Sequence, residues 1–276
     1  MPGPPMSLTS TAPRIAFHHE GSAGPPVLLI MGFGMSGEMW RPQIDGLSRA
    51  HRVAFYDHLG VGGSEAPWRR PTMRRMAADA TRVLDALSWA SAHVVGVSMG
   101  GMIAQELALR HPTRVKSLTL VATHAGGALA ALPRLEGLAR FVKANTGTPT
   151  ERIAALKQLL YTPEFLASGD GARLDARMAE MAARRAPRET VLGHLGAVLR
   201  HRTRRRLDQL DVPTLVVRPD QDILVRPANS DVLAASIRGA RLVCYEDAGH
   251  GITFQRAESL NEEIARHVAD VERRWS

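Results

Sequence analysis

A short run of strand-forming residues, His93-Val94-Val95-Gly96-Val97, passes into a helical pattern with no loop residues between, and Ser98 stands at the junction. The β-branched residues of the run read as a short buried strand. Beyond it, Met102, Ile103, Leu107 and Leu109 recur at helical spacing from Met99 onward, and His111-Pro112 ends the helix. A strand that turns so abruptly into a helix needs neighbours without a Cβ, which Gly96 and Gly100 supply, and it forces strained backbone angles on the residue at the pivot. Such a turn, G-x-S-x-G, holds a serine hydroxyl clear of the sheet at a helix N-terminus that favours negative charge. The three fixed letters arise by chance in roughly one chain in ten of this composition, so their meaning depends on context. A phosphate-cradling turn is the competing reading, but neither G-x-x-x-x-G-K-[ST] nor G-x-G-x-x-G occurs in the chain.

The context is an alternation. Strand-like runs recur at 14–17, 27–31, 53–56, 94–97, 115–122, 214–217 and 241–245, and helical patterns lie between most of them, at 39–47, 73–89, 101–110, 228–237 and 257–271. This predicts an α/β fold with a mostly parallel sheet covered by helices on both faces. Residues 126–209 break the alternation: they contain successive helical patterns, including the capping box Thr148-Pro149-Thr150-Glu151, and no strand. The expected organisation is therefore a Pro/Gly-rich disordered tail over 1–13, a core formed by 14–125 and 210–276, and an inserted helical cap, or lid, over 126–209.

A serine at neutral pH needs a base, usually a histidine oriented by a carboxylate. Strand C-termini open on one edge of a parallel sheet, so the partners of Ser98 should follow strand ends. Among eleven histidines, His250 fits, in Asp247-Ala-Gly-His250-Gly after the last strand. His18, His19, His51 and His93 fall at or before strand starts, and His111, His201 and His267 fall on helical patterns, as surface residues. His124 follows a strand end and is expected to contact substrate, as is His194 on a lid helix. For the acid, Asp220, Asp222, Glu246 and Asp247 all follow strand ends; Asp222 is preferred because Pro227 opens the next helix and leaves it in the loop facing His250. An oxyanion would be held by backbone N–H groups, one from Met99 and one from Phe33 in the Gly-rich loop Gly32-Phe33-Gly34. Met31, Gly32, Gly34 and Phe254, together with Met35, Met39, Met99 and Met102, suggest an adaptable apolar pocket.

The net charge of +8 comes almost wholly from arginine, in clusters at 69–70, 74–75, 184–185 and 200–206. Aromatic residues make up 5% of the chain and do not interleave with them, which argues against nucleic acid and for an exposed basic surface, or for steering of an anionic substrate. No apolar run approaches a membrane span, the N-terminus lacks a leader pattern, and there is a single cysteine, Cys244, expected to be buried; together they predict a cytoplasmic enzyme without membrane association. The chemistry calls for no cofactor and no metal.

Several motifs make the chain resemble the α/β-hydrolase superfamily from about Arg14 to Arg273. They are Gly96-Val-Ser98-Met-Gly100-Gly101, the order Ser98…Asp222…His250, and Asp57-His-Leu-Gly60-Val-Gly62-Gly-Ser64, similar to the family's D-x-R-G-x-G-x-S turn. Leu29-Ile-Met-Gly-Phe-Gly with the later Trp40 is similar to small lidded esterases, 3-oxoadipate-type enol-lactonases and anthracycline methylesterases. The resemblance implies hydrolysis of a carboxylic ester or lactone, a small to medium, largely apolar molecule, through an acyl-enzyme on Ser98. Perhydrolysis or C–C bond hydrolysis by the same triad, and a non-catalytic ligand receptor, are the alternatives. Two departures stand out: Met31 occupies the position where many relatives have histidine, which removes side-chain support from the oxyanion loop, and Leu59 replaces the usual arginine of the Asp57 turn.

Overall fold

The computed structural model describes residues 6–127, 130–169 and 171–275. Eight strands form one sheet in the order β1-β2-β4-β3-β5-β6-β7-β8. They are β1 (Ser7–Leu8), β2 (Ala16–Glu20), β3 (Pro26–Ile30), β4 (Arg52–Tyr56), β5 (Ala92–Val97), β6 (Val115–Val121), β7 (Thr214–Pro219) and β8 (Arg241–Tyr245). β2 pairs antiparallel with both β1 and β4; every other pairing is parallel. The tail expected over 1–13 is thus structured from within its length, since Ser7 pairs opposite Phe17; residues 1–5 lie outside the described residues.

The side-chain alternation of β3 explains the layers. Leu28 and Ile30 pack into one core with α2 (Met73–Ala86) and α3 (Met99–Arg110), whereas Val27 and Leu29 pack into the other with α1 (Arg41–Leu47) and α11 (Ala257–Trp275). Every residue of β3 and β5 is buried, as strands covered on both faces require. β8 is an edge strand and is covered less completely, so Cys244 is exposed rather than buried as expected. His201 and His267, expected at the surface, are buried too.

From β3 the chain runs through α1 to β4 on one side, then crosses through α2 to β5 on the other side of β3. Strand order therefore reverses between β3 and β5, which pair with Ile30 opposite Gly96. A crevice opens outside the carboxyl ends of strands at such a reversal. The loop 31–34 and Ser98 flank it.

Between β6 and β7 lie the helices α4 (Leu135–Thr146), α5 (Pro149–Leu160), α6 (Pro163–Ala167), α7 (Gly171–Ala183) and α8 (Arg188–Leu199). The chain leaves and re-enters the core side by side, at an antiparallel bridge between Gly126 and Arg202. Residues 204–209, grouped with the insertion on sequence, form a 3-10 turn whose Leu207 is buried in the core. The remaining helices are α9 (Ala228–Ser236) and α10 (Ile252–Gln255). No helix among the described residues is long and apolar enough to cross a membrane.

Candidate active site

Ser98 has φ 55° and ψ −121°, a left-handed conformation that side chains rarely adopt. Its neighbours show why it is held there. A Cβ on Gly100 would sit 2.0 Å from the Ile30 carbonyl oxygen, and one on Gly96 would sit 2.4 Å from that of Gly100. The strand and helix approach so closely that only glycine fits at either position. Ser98 N–H donates to the Val121 carbonyl at 2.9 Å, and the Thr123 hydroxyl donates to the Ser98 carbonyl at 2.6 Å. The pivot is thereby locked between β5 and β6.

Asp222 and His250 meet after β7 and β8. His250 Nδ1 and Asp222 Oδ2 are 2.6 Å apart, and Asp222 Oδ1 accepts from the backbone N–H groups of Leu224 and Val225, each at 2.8 Å. These bonds fix the carboxylate and, with Nδ1 as the donor, leave His250 Nε2 free to accept a proton. Both residues are buried, and His250 shares a cavity wall with Ser98. Among the described residues no hydrogen bond joins the Ser98 hydroxyl to His250, whose ring bonds Asp222; catalytic hydrogen bonds of this kind tighten in the complex with substrate.

The cavity has a volume of about 400 Å³. Met31, Gly32, Phe33, Gly34, Met35 and Met39 line it from the core, and Phe141, Leu156, Tyr161 and Met178 line it from the insertion. A Cβ on Gly32 would stand 3.4 Å from Ser98 Cβ, so the loop backbone lies against the serine. Met99 is the first residue of α3, where an N–H has no intrahelical acceptor. Neither its N–H nor that of Phe33 meets a protein acceptor among the described residues.

Two histidines hold the 31–34 loop in place of the side chain that Met31 cannot supply. His58 Nε2 donates to the Met31 carbonyl at 2.8 Å, and Gly34 N–H donates to His194 Nδ1 at 3.2 Å. The rings meet edge to face, with centroids 5.6 Å apart. Burial lowers the pKa of both, that of His194 to about 3, so each is neutral near pH 7. His194, expected to touch substrate, is instead buried behind the loop and does not line the cavity. His124 likewise lies off the cavity wall: its Nδ1 accepts from Gly126 N–H at 3.0 Å, and its pKa falls to about 4 through burial and the nearby His250. Phe254 packs against Tyr161 and Phe165 rather than lining the cavity, and Met99 and Met102 belong to the core beneath it.

The Asp57 turn survives the loss of its arginine. Asp57 Oδ1 accepts from Ser36 Oγ and Gly37 N–H at 2.8 Å, Oδ2 accepts from Gly63 N–H at 3.0 Å, and Leu59 packs on the apolar core. The charged residues of the cavity wall, Arg152, Arg177 and Arg185, come from α5, α7 and the segment after α7, and nothing in the sequence marks them as facing a cavity. Arginine at such positions has no sequence pattern that separates it from the exposed face of a helix, and the 184–185 pair was expected at the surface.

A parallel sheet reversed at its centre, a serine on a strained strand-to-helix turn, and a hydrogen-bonded histidine and aspartate at later strand ends define the architecture of α/β hydrolases. Residues 25–257 match the model of the α/β-hydrolase fold, and the chain belongs to this family. It is 34% identical over 256 residues to "Putative carbamate hydrolase RutD" of Azorhizobium caulinodans, covering 93% of this chain and 96% of that protein. Among solved structures, it resembles a hydrolase from Pseudomonas aeruginosa PA01, with 28% identity, coverage of 95% and 98%, and a TM-score of 0.82. The enol-lactonase from Burkholderia xenovorans LB400 is similar at 26% identity, with coverage of 96% and 100% and a TM-score of 0.82.

Proposed function

We propose that the protein is a cytoplasmic serine hydrolase that cleaves a carboxylic ester or lactone, with residues 126–209 as its lid. The observation that carries this reading is the 2.6 Å His250–Asp222 contact on the same cavity as a serine strained to φ 55°. Ser98 Oγ attacks the substrate carbonyl and passes its proton to His250 Nε2. Asp222 accepts from Nδ1–H and stabilises the imidazolium. The tetrahedral oxyanion is held by the N–H groups of Phe33 and Met99. Collapse breaks the C–O bond, the leaving oxygen takes the proton from His250, and water then repeats the sequence on the acyl-enzyme. The apolar lining suits a largely apolar substrate, and the similarity to an enol-lactonase supports a lactone among the substrates.

Carbamate cleavage is a second reading, favoured by the 34% identity to the protein from Azorhizobium. It uses the same attack on a less electrophilic carbonyl. The test is a panel of esters, lactones and carbamates, with Ser98 labelled by a fluorophosphonate. Ser98→Ala is expected to lose about 10⁶-fold in kcat, the scale seen when a triad serine is removed. Labelling elsewhere, or full turnover by the alanine variant, would overturn the nucleophile. Ligand retention by a wild-type protein that turns nothing over and takes no label would make the molecule a receptor.

A further inference from the structure

Away from Ser98 and His250 the cavity wall is largely apolar, and its charged side chains are a group of guanidiniums that no carboxylate of the described lining balances. Arg152, Arg177 and Arg185 line it, and among the described residues no Asp or Glu does. The nearby acids are committed elsewhere. Glu151 binds Lys143 at 3.0 Å and the Thr148 backbone N–H at 3.0 Å, Asp175 pairs with Lys157, and Glu180 pairs with Arg184 at 3.5 Å. The Nε atoms of Arg152 and Arg177 are buried without a hydrogen-bond partner among the described residues. Arg177 gives one Nη2 bond to the Met39 carbonyl at 2.7 Å and lies 5.3 Å from the centroid of the Phe254 ring. Among the described residues Arg185 bonds only to Asn145, through its carbonyl at 3.1 Å and Oδ1 at 3.4 Å, and it is close enough to Arg152 for the two charges to repel.

Burying like charges without a counter-ion is costly, and the cost is relieved when an anion arrives with the ligand. Guanidinium planes offer forked donors that match a carboxylate's two oxygens. We propose that Arg152 and Arg185, backed by Arg177, form an anion subsite, and that the substrate carries a carboxylate distinct from the carbonyl that Ser98 attacks. This rests on the hydrolase reading for the attack but not for the binding. The substrate class is then an ester or lactone of a carboxylate-bearing acid, with an apolar chain between its two ends to match the aliphatic wall.

The probes are mono-p-nitrophenyl glutarate, which carries a free carboxylate, and the neutral p-nitrophenyl pentanoate. Wild type should prefer the glutarate ester in kcat/KM by roughly tenfold or more, as desolvated charge pairing provides. Arg152→Gln and Arg185→Gln should each reduce that preference about tenfold, chiefly through KM. Arg238→Gln, an exposed site beyond α9 that changes net charge equally, should leave the ratio unaltered. A wild-type preference for the neutral ester, or ratios unmoved by both cavity variants, overturns the subsite. Binding of monomethyl glutarate to Ser98→Ala by calorimetry reads the subsite without turnover, and it should disappear when Arg152→Gln and Arg185→Gln are added to a protein whose melting temperature is retained. Arginine-dependent binding with no fluorophosphonate label on wild-type Ser98 would sink the hydrolase reading and keep the subsite. Normal labelling and pentanoate turnover with no arginine-dependent binding would do the reverse.

Discussion

Asp220 and Asp222 stand two residues apart after β7, and their surroundings give them different work. Asp220 Oδ1 accepts from Arg218 Nε at 2.7 Å, and Arg218 also bonds Asp231 at 2.6 Å, which makes Asp220 part of a surface ion cluster. Asp222 is buried, held by two backbone N–H groups, and joined to His250. Asparagine at 222 keeps the shape but removes the charge and offers a donor toward Nδ1, which favours the tautomer that protonates Nε2. Asp222→Asn is therefore expected to lose on the order of 10⁴ in kcat near neutral pH with KM little changed, as in the serine-protease template. Asp220→Asn should stay within about tenfold of wild type, because partly exposed pairs contribute little. Steady-state kinetics of the two variants on one activated ester decides, and a reversed order would move the acid by two residues.

At the scale of elements, the insertion is docked onto the loops that carry the site. α8 reaches the 31–34 loop through His194 and Gly34, and Arg134 at the start of α4 donates its N–H to Ile223, next to Asp222, at 3.0 Å. The last residue of α5, Leu160, accepts from Gly251 N–H, beside His250, at 2.6 Å. Helix placement in the insertion thus bears on chemistry in the core. His194→Leu removes the acceptor for Gly34 N–H and loosens the loop that presents Phe33 N–H; kcat should fall about tenfold, the scale of one lost buried hydrogen bond, with KM little altered. His194→Asn, whose Oδ1 can take the place of Nδ1, should recover much of the loss. A fall in melting temperature with unchanged kcat in both variants would leave His194 a packing residue. The core elements, and the convergence of His250 and Asp222 on the cavity beside Ser98, were legible because glycine spacing, strand ends and chain order are local signals. The partners of the 31–34 loop were not. His58 reaches it across 27 residues and His194 across 160, and a single histidine on a helix carries no mark of what it faces. The same holds for Arg152 and Arg185, whose α5 begins with a readable capping box but whose inward face is set only by packing.

For the molecule as a whole, the buried histidines make folding sensitive to mild acid. His93 lies between Ser117 Oγ at 2.8 Å and Glu272 at 3.1 Å near the amino-terminal end of β5, while His124, His194 and His201 lie where the insertion joins the core. Burial dominates each environment and lowers the folded pKa from 6.5 to about 4 for His93 and His124, and to about 3 for His194 and His201. Because the folded values are depressed, the unfolded chain binds protons that the folded chain refuses once the pH drops below 6.5, so stability falls from there toward pH 4 and levels off below the folded values. Each such proton is worth about 1.4 kcal/mol per pH unit, so four together approach about 5.5 kcal/mol per unit, against a typical total stability of about 5–15 kcal/mol. Glu38 and Asp79, whose carboxyl pKa values are raised by burial, oppose the trend as they take up protons in the folded state. Carboxylates held low by arginine or lysine, such as Glu106 and Glu272, add their own loss only below their ordinary 4.5. Between pH 6.5 and 4.5 the histidines therefore dominate, and the protein should unfold at about pH 4–5 at room temperature. Thermal unfolding followed at half-unit intervals from pH 7.5 to about 4.5 should show a slope of about four protons or more taken up on unfolding, since burial depresses His58 and His267 as well. His201→Gln, whose side-chain amide reaches the position of Nε2 and can bond Thr203, should remove close to one of them. A melting temperature that stays flat from pH 7 to about 5 would mean that these rings are already solvated or charged in the folded protein, and that the insertion is not packed onto the core through them.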